Sequence, residues 1–224
     1  MTKRGIIIFL VFILAVANVS AEKRYVSKTG SSTPPYTSWE TAADSIMKAM
    51  RISNFGDTIV VGDGIFREVV RFNPGVVLLG SGWDNTWIQI PQDSLAGVML
   101  ENLCEIKNLK INGYGMNSRA HRGIYSFRYD NQERKFVVRD VKITNCHQAL
   151  GVVSSSYSII DTVTVSGCVI DSCVDGVYSA LINLQVFDNS ITTSEKCVYF
   201  GILADCNVYN NILVAAPYNP LSDN

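Results

Sequence analysis

Val165-Ser-Gly-Cys-Val-Ile170 is the stretch that decides the fold, because the chain repeats its pattern twice more. The later copies are Val186-Phe-Asp-Asn-Ser-Ile191 and Val208-Tyr-Asn-Asn-Ile-Leu213, at offsets of 21 and 22 residues. Each copy places a polar, turn-like middle between two apolar residues that are five positions apart. Repetition at this period indicates stacked structural repeats.

A second apolar register accompanies the first. The isoleucines Ile143, Ile170 and Ile191 are each followed seven residues later by another apolar residue, namely Leu150, Val177 and Val198. Looser copies of the first register begin at Ile106 and Val138, each again with an isoleucine five positions on, so the repeat extends toward the N-terminus.

The residue types select strands as the repeating elements. The segments are short and rich in Val, Ile, Thr and Tyr, and they are separated by Gly, Asn, Asp and Ser, which is typical of strands and turns. Strands stacked on their counterparts one coil earlier pair every backbone donor and acceptor between coils. The sequence therefore predicts an all-β parallel β-helix with coils of about 22 residues.

The first 21 residues read as a targeting signal. Lys3 and Arg4 precede an apolar run over residues 5–17, and small residues at 19–21 suit a cleavage site, so we expect a secreted or cell-surface protein. The alternative is an uncleaved membrane anchor, although the run is short for a bilayer span. Cleavage leaves 17 basic and 20 acidic residues, and this net charge of −3 indicates neither a nucleic-acid nor a membrane partner.

Six cysteines are too few for a disulfide-built scaffold of this length. Cys146 and Cys173 each follow a register isoleucine by three residues, so we expect them to stack in neighbouring coils. Parallel strands lie about 4.8 Å apart, within the Cα separation that a disulfide tolerates. A disulfide and a pair of buried thiols are both compatible with this placement.

One helix is predicted, over residues 38–52. Thr37 and Glu40 form a capping-box pattern, and Trp39, Ala43, Ile46 and Met50 fall on one helical face. We expect residues 22–55 to supply a first strand, a polar loop and this helix, which would cap the first coil and protect its strand edges. The coils then occupy residues 56–216.

The N-terminal motifs resemble those of right-handed parallel β-helix proteins of the pectin-lyase-like superfamily. They are Tyr25-Val-Ser-Lys-Thr-Gly30, Thr37-Ser-Trp-Glu-Thr-Ala-Ala43, Gly56-Asp-Thr-Ile-Val-Val-Gly-Asp-Gly-Ile-Phe-Arg-Glu68 and Val76-Val-Leu-Leu-Gly-Ser-Gly82. The resemblance implies a right-handed β-helix over the whole mature chain. The chain also resembles the family in placing Asn189 and Asn211 at one corner of successive coils. An asparagine ladder would begin there at Asn189. It does not define an activity, because the family includes lyases, hydrolases, epimerases and non-catalytic surface proteins.

Catalytic signatures are faint. The resemblance implies, for a lyase, an Arg or Lys base with calcium held by Asp and Glu and, for a hydrolase, two or three adjacent carboxylates. The polygalacturonase motifs are absent, and no pectate-lyase arginine signature is found. Asp161, Asp171 and Asp175 are predicted as turn residues. We predict no metal site, and calcium enters as a cofactor only if the protein is a lyase.

The first candidate site is the stretch over residues 112–139. Ile111 to Ile124 spans 13 residues where later coils use seven, which predicts a projecting loop. A basic loop suits an anionic sugar, and the alternative is a solvated loop without a ligand. Its charged residues are Arg119, His121, Arg122, Arg128, Arg134, Lys135 and Arg139, with Asp130 and Glu133 among them.

The second candidate site is a row of tyrosines. If Ile124, Leu150, Val177 and Val198 point inward, strand alternation turns the next residues outward. Aromatic rings in such a row either stack on sugar rings or pair with one another across strands. The outward residues are Tyr125, Gly151, Tyr178 and Tyr199.

Two functions of different class follow. One is a secreted carbohydrate-active enzyme, a lyase or epimerase acting on an acidic polysaccharide. The other is a non-catalytic β-helix that binds glycans or belongs to a cell-surface structure. Residues 217–224 contain two prolines and no helical pattern, so we expect the last coil to be uncapped. The sequence would then be part of a longer β-helix, or a partner would cover this end.

Overall fold

Every strand pairing in the described part of the chain is parallel and joins a strand to its counterpart in an adjacent coil. The computed structural model describes residues 20–115, 121–128, 134–154, 161–180, 182–201 and 205–215, without the side chains of 127, 128, 154 and 161. Most of the signal segment predicted over 1–21 and the whole tail 217–224 lie outside these ranges.

The described elements are strands except for one short helix. In chain order they are β1 (Lys23–Val26), α1 (Ile46–Arg51), β2 (Thr58–Val61), β3 (Gly64–Arg67), β4 (Val70–Arg71), β5 (Val77–Gly80), β6 (Thr86–Gln89), β7 (Ala96–Met99), β8 (Cys104–Asn112), β9 (Arg122–Arg128), β10 (Lys135–Thr144), β11 (Gln148–Ser154), β12 (Asp161–Ser166), β13 (Val169–Ala180), β14 (Ile182–Phe187), β15 (Ser190–Phe200), β16 (Cys206–Tyr209) and β17 (Ile212–Ala215).

The strands form three parallel sheets, one on each side of the coil, so the fold is the right-handed parallel β-helix that the sequence predicts. Sheet A contains β1, β2, β5, β12, β14, β16 and the first halves of β8 and β10. Sheet B contains β3, β6, β17, the second halves of β8 and β10 and the first parts of β13 and β15. Sheet C contains β4, β7, β9, β11 and the second parts of β13 and β15.

The predicted apolar registers are confirmed. Sheet A stacks one inward row and sheet B another, and both rows are buried until the last described coil. There Val208 and Leu213 are 39% and 44% exposed. The rows are Ile106, Val138, Val165, Val186 and Val208 on sheet A, and Ile111, Ile143, Ile170, Ile191 and Leu213 on sheet B.

The predicted asparagine ladder is also present, at the corner between sheets A and B. Asn189 Nδ2 donates to Asn211 Oδ1 (2.9 Å), and Asn189 Oδ1 accepts from the backbone N–H of Cys168 (2.8 Å). Asn189 is nearly fully buried and also donates to the carbonyl of Val165. The ladder therefore supplies hydrogen-bond partners to corner backbone groups that the sheets leave unpaired.

The predicted helix boundaries are wrong. The helix covers only Ile46–Arg51, with Ser45 at its N-cap, whereas Ser38 and Thr41 form a turn closed by their own side chains. The cap comes from the carboxylate of Glu68, which accepts from the backbone N–H groups of Ile46 and Met47. The helix packs on β1, β2 and β4, and its capping role stays a prediction. No helix in the described ranges is long and apolar enough to cross a membrane.

All six cysteines are free thiols in this structure. Cys146 and Cys173 do stack in neighbouring coils, and both thiols are buried. The hydrogen bond between the two thiols is the largest cause that raises the pKa of Cys146 well above its ordinary value, and burial is the second. The structure therefore shows the buried-thiol alternative at this pair.

Candidate functional site

The tyrosine row lies on the outer face of sheet C, as predicted. Tyr125, Gly151, Tyr178 and Tyr199 occupy register positions on neighbouring strands β9, β11, β13 and β15. The preceding residues Ile124, Leu150 and Val177 are fully buried, so strand alternation turns the tyrosines outward. We call this surface, together with the second register row that contains Arg122, Gln148, Asp175 and Lys196, the tyrosine face.

Two of the tyrosines pair with each other, and the third pairs with an arginine. The rings of Tyr178 and Tyr199 stack with centroids 4.6 Å apart at 27°. The guanidinium of Arg122 lies 4.4 Å from the ring centroid of Tyr125. Cation–π contact of this kind holds an arginine in place while its polar edges remain able to bind an anion.

A hydrogen-bonded chain joins these two groups across four strands. Arg122 Nε donates to Gln148 Oε1 (3.2 Å), and Gln148 Nε2 donates to the hydroxyl of Tyr199 (2.8 Å). The Tyr199 hydroxyl in turn donates to Asp175 Oδ2 (3.0 Å). The four side chains therefore form one fixed polar line beside the aromatic rings.

Gly151 gives the glutamine its place. A Cβ at residue 151 would collide with Gln148 Oε1, so a larger residue would push the amide out of the line. The glycine also leaves a gap in the aromatic row between Tyr125 and Tyr178. Both consequences identify Gly151 as a residue that shapes the face rather than an interruption of the ladder.

The electrostatics of Tyr199 keep its proton in place. Burial raises the pKa of Tyr199 well above its ordinary range. The hydrogen bond to Asp175 and the charge of that carboxylate raise it further. The phenol is therefore a hydrogen-bond donor at neutral pH and not a base. The second oxygen of Asp175, Oδ1, is buried and has no hydrogen-bond partner among the described residues. Lys196 Nζ lies 4.7 Å from the Tyr199 ring centroid.

A cleft of about 270 Å³ continues the face toward the N-terminus. Met99 on β7 is in register with Tyr125, and Arg71 on β4 is in register with Met99. Both residues line the cleft, as do Asp93 and Leu95. A ligand lying along the coil axis would therefore meet this cleft, then Arg122 and Tyr125, and then the stacked tyrosines.

The predicted basic loop over 112–139 is not one loop. Residues 122–128 are strand β9 and residues 135–139 belong to strand β10, so these two parts of the segment are in the coils. Arg139 lies on sheet A, where it pairs with Glu105 at 2.7 Å, and Arg134 is buried (2% exposed) instead of solvated. Those charged residues of the segment that the structure describes are therefore distributed over separate parts of the coil and do not form a single cluster.

The other residues predicted for this loop have different fates. His121 is buried, and its Nε2 donates to the carbonyl of Gln92 (2.8 Å), which makes it a structural hydrogen-bond donor. Among the charged residues of this segment that the structure describes, only Arg122 belongs to the tyrosine face. Arg119, Asp130 and Glu133 lie outside the described residues, and the side chain of Arg128 does as well.

Sequence reasoning missed two members of the face. Asp175 was expected in a turn, but it lies within β13, which continues past the corner with two shifts of register between Ile170 and Asp175. Gln148 is the first residue of β11 and pairs in register with Arg122 and Asp175, and it carried no recognisable motif. Strand alternation counted back from the inward Leu150 would turn Gln148 inward as well, so its place on the face is visible only in its contacts with Arg122 and Tyr199.

No metal-binding arrangement is found in the described residues, where no three His, Cys, Asp or Glu side chains gather to hold an ion. Comparison with known proteins yields no matching family model. No curated protein matches the sequence either.

Two solved structures share the general course of the backbone. One is a pectin methylesterase in complex with a hexasaccharide, at 9% identity and a TM-score of 0.48, covering 91% of this chain and 94% of the other. The second is the pectin methylesterase PemA from Erwinia chrysanthemi, at 8% identity and a TM-score of 0.48, covering 90% and 92%. The parallel β-helix is itself established by the strand register of the three sheets.

Proposed function

We propose that this protein is a polysaccharide-directed β-helix that binds an acidic glycan along the tyrosine face. The observation that carries the proposal is the hydrogen-bonded line from Arg122 through Gln148 to Tyr199, beside the stacked rings of Tyr178 and Tyr199. Aromatic faces pack on the apolar faces of sugar rings, and a positioned guanidinium binds carboxylates. Successive coils lie about 4.8 Å apart, so the aromatic row and the polar row run side by side along the axis.

The test is binding of a de-esterified polygalacturonate to single variants. Arg122→Ala and Tyr178→Ala should each weaken binding by about tenfold, because each removes one contact of about 1.4 kcal/mol. The melting temperature should change little, since both side chains lie on the outer face. Higher salt should weaken binding further, because exposed charges are screened.

Two matched controls sit on sheet A. Arg139→Ala removes an exposed arginine, and Tyr209→Ala removes an exposed tyrosine that stacks on Phe187. Neither variant should change affinity. Equal losses in the controls and in the two face variants would show that the glycan does not bind the tyrosine face.

A second candidate function is catalysis on the same glycan, as a lyase or an epimerase. Both reactions begin with removal of the proton α to a uronate carboxyl group. The buried Oδ1 of Asp175, which has no hydrogen-bond partner among the described residues, favours this candidate, because a catalytic role is one explanation for such an atom. Asp175 is 8% exposed, so the reaction would require Tyr199 or Lys196 to move aside.

Asp175→Asn separates the two candidates. The asparagine keeps an acceptor for the Tyr199 hydroxyl but cannot take a proton, so binding should persist while any unsaturated product, followed by its absorbance, disappears. If the unmutated protein binds polygalacturonate and yields neither unsaturated nor epimerised product, the non-catalytic function stands.

We further propose that the protein is exported by cleavage after Ala21. The sequence of residues 1–21 supports this, with its basic start, short apolar run and small residues before the cleavage point. Fused to a reporter enzyme, residues 1–30 should direct it out of the cytoplasm and leave a new N-terminus at Glu22. A reporter that keeps its full N-terminus in the membrane would support an anchor instead.

A further inference from the structure

The outer face of sheet B carries a second set of polar and charged side chains, separate from the tyrosine face. Two register rows run side by side on it, two residues apart along each strand, or about 6.6 Å. The first row contains Trp87, Lys110 and Lys142, and the second contains Arg67, Gln89, Asn112 and Thr144.

A cleft of about 450 Å³ opens over the second row. Arg67 forms one wall and Tyr114 the other, and the guanidinium Nη1 donates to the Tyr114 hydroxyl at 3.0 Å. Tyr114 is 48% exposed, so its ring is available to a ligand. Within the described residues Arg67 has no carboxylate at ion-pairing distance, which leaves most of its donors open.

The polar side chains on the floor of the cleft already hydrogen-bond to one another, and the floor is therefore rigid. Gln89 Oε1 accepts from Asn112 Nδ2 (2.7 Å), and Asn112 Oδ1 accepts from the Thr144 hydroxyl (2.7 Å) and from Asn145 Nδ2 (2.9 Å). Such a network holds its members in one arrangement. A ligand would therefore bind a preformed polar surface and would not have to order the floor.

The first row adds positive charge beside the cleft. Lys110 and Lys142 are register neighbours, and Lys110 Nζ lies 3.8 Å from the ring centroid of Trp87. Partial burial, followed by the charge of Lys142, lowers the pKa of Lys110, while Asp84 opposes this effect. No carboxylate of the described chain forms an ion pair with either lysine. An anion placed here would relieve the repulsion between the two ammonium groups.

We propose that this cleft on sheet B is a second saccharide-binding site, for an acidic sugar whose carboxylate meets Arg67 and whose ring packs on Tyr114. The lysine pair would receive the carboxylate of the next sugar. Arginine and lysine suit carboxylates, and the neutral hydrogen-bonded floor suits sugar hydroxyls. The proposal rests on residues of sheet B and on Tyr114 and Asn145 directly after its strands, and it does not depend on the tyrosine face.

Tryptophan fluorescence distinguishes the two sites, because the tyrosine face contains no tryptophan and Trp87 borders the sheet B cleft. Titration with short de-esterified oligogalacturonates should change the emission of the unmutated protein and of the double variant Arg122→Ala, Tyr178→Ala alike. Trp87→Phe should abolish the change. Arg67→Ala and Lys142→Ala should each shift the titration midpoint to about tenfold higher ligand, since each removes one charge-assisted contact.

Arg51→Ala is the matched control, because it removes an exposed positive charge at the end of the helix, away from the cleft. Fully methyl-esterified oligomers, which lack the charge, should give a much weaker response. The proposal is overturned if saturating oligogalacturonate leaves the tryptophan emission unchanged, or if Arg67→Ala and Arg51→Ala titrate identically. Loss of the signal in the tyrosine-face double variant would assign the binding to sheet C instead.

Discussion

At the scale of single residues, buried polar groups hold the corners of the coil. The Asn189 side chain serves four backbone or side-chain partners at once, and its ladder to Asn211 was predictable from the coil spacing together with the resemblance to the family. The line through Gln148 was not predictable, because it depends on side chains from four strands whose sequence positions share no motif. Periodicity reveals which residues stack, whereas it does not reveal which polar atoms then meet.

Asn189→Ala should lower the free energy of unfolding by about 1–3 kcal/mol, because the buried N–H of Cys168 and the side chain of Asn211 would lose their partner. Urea denaturation measures the loss. Asn207→Ala is the control, since Asn207 is exposed on the neighbouring sheet A strand and should change stability by less than about 0.5 kcal/mol. Equal effects in the two variants would contradict a structural ladder.

Buried thiols predict a loss of stability at alkaline pH. Burial raises the pKa of Cys104 to about 11 and that of Cys168 to about 12. The unfolded chain releases these protons above about pH 8.5, whereas the folded chain retains them, so the full stability is present below that pH and declines above it. Cys168→Ala should flatten the decline in urea midpoints measured across this range. A slope unchanged by Cys168→Ala would contradict the assignment.

At the scale of elements, the strands were predictable and the helix was not. Strand register follows from inward apolar rows, which the sequence displays openly. The helix begins at Ile46 because the carboxylate of Glu68, 22 residues further along the chain, accepts from its first backbone N–H groups. The Thr37 and Glu40 pattern looks like a local cap, but the backbone of residues 40–42 instead pairs with residues 31–33. A cap supplied from a distant strand leaves no local signature.

Val186→Asp tests the register directly. Val186 is fully buried between Val165 and Val208, so the variant loses about 1.5–3 kcal/mol of apolar burial and also buries a carboxylate without a partner. The middle of the stack should unfold, as circular dichroism and thermal melting would show. Gln185→Asp, which places the same charge one residue away on the outer face, should melt normally. A soluble, cooperatively melting Val186→Asp protein would refute the register.

At the scale of the whole molecule, the inward apolar rows are buried until the last described coil, where apolar side chains become exposed. Val208, Ile212, Leu213 and Val214 are 39–65% exposed there. The counterparts of Val208 and Leu213 one coil earlier, Val186 and Ile191, are fully buried. Apolar groups beside unpaired strand edges promote association. The overall architecture was predictable because each coil has to bury apolar residues at the same inward positions. The location of the candidate site was only partly predictable, because two parts of the segment expected to be one basic loop, residues 122–128 and 135–139, are strands.

Expressed from residue 22 to residue 224, the protein should therefore self-associate as its concentration rises, as sedimentation velocity would show. Leu213→Lys should reduce association by placing a charge on this surface. Asn207→Lys, on the neighbouring strand, serves as the control. Lys142→Leu is not used for this purpose, because Lys142 lies beside the sheet B cleft. A monomer at all concentrations, with slow amide hydrogen exchange over residues 206–214, would show that this coil is covered.

The most direct test of the central claim is calorimetric titration of the unmutated protein with de-esterified polygalacturonate at low and at high salt. The tyrosine face, with Arg122 and the stacked rings of Tyr178 and Tyr199, predicts measurable binding that weakens as salt rises. It also predicts much weaker binding of the fully methyl-esterified polymer. Failure to bind this or any other anionic polysaccharide at low salt would contradict a glycan-binding function and leave the β-helix as a scaffold alone.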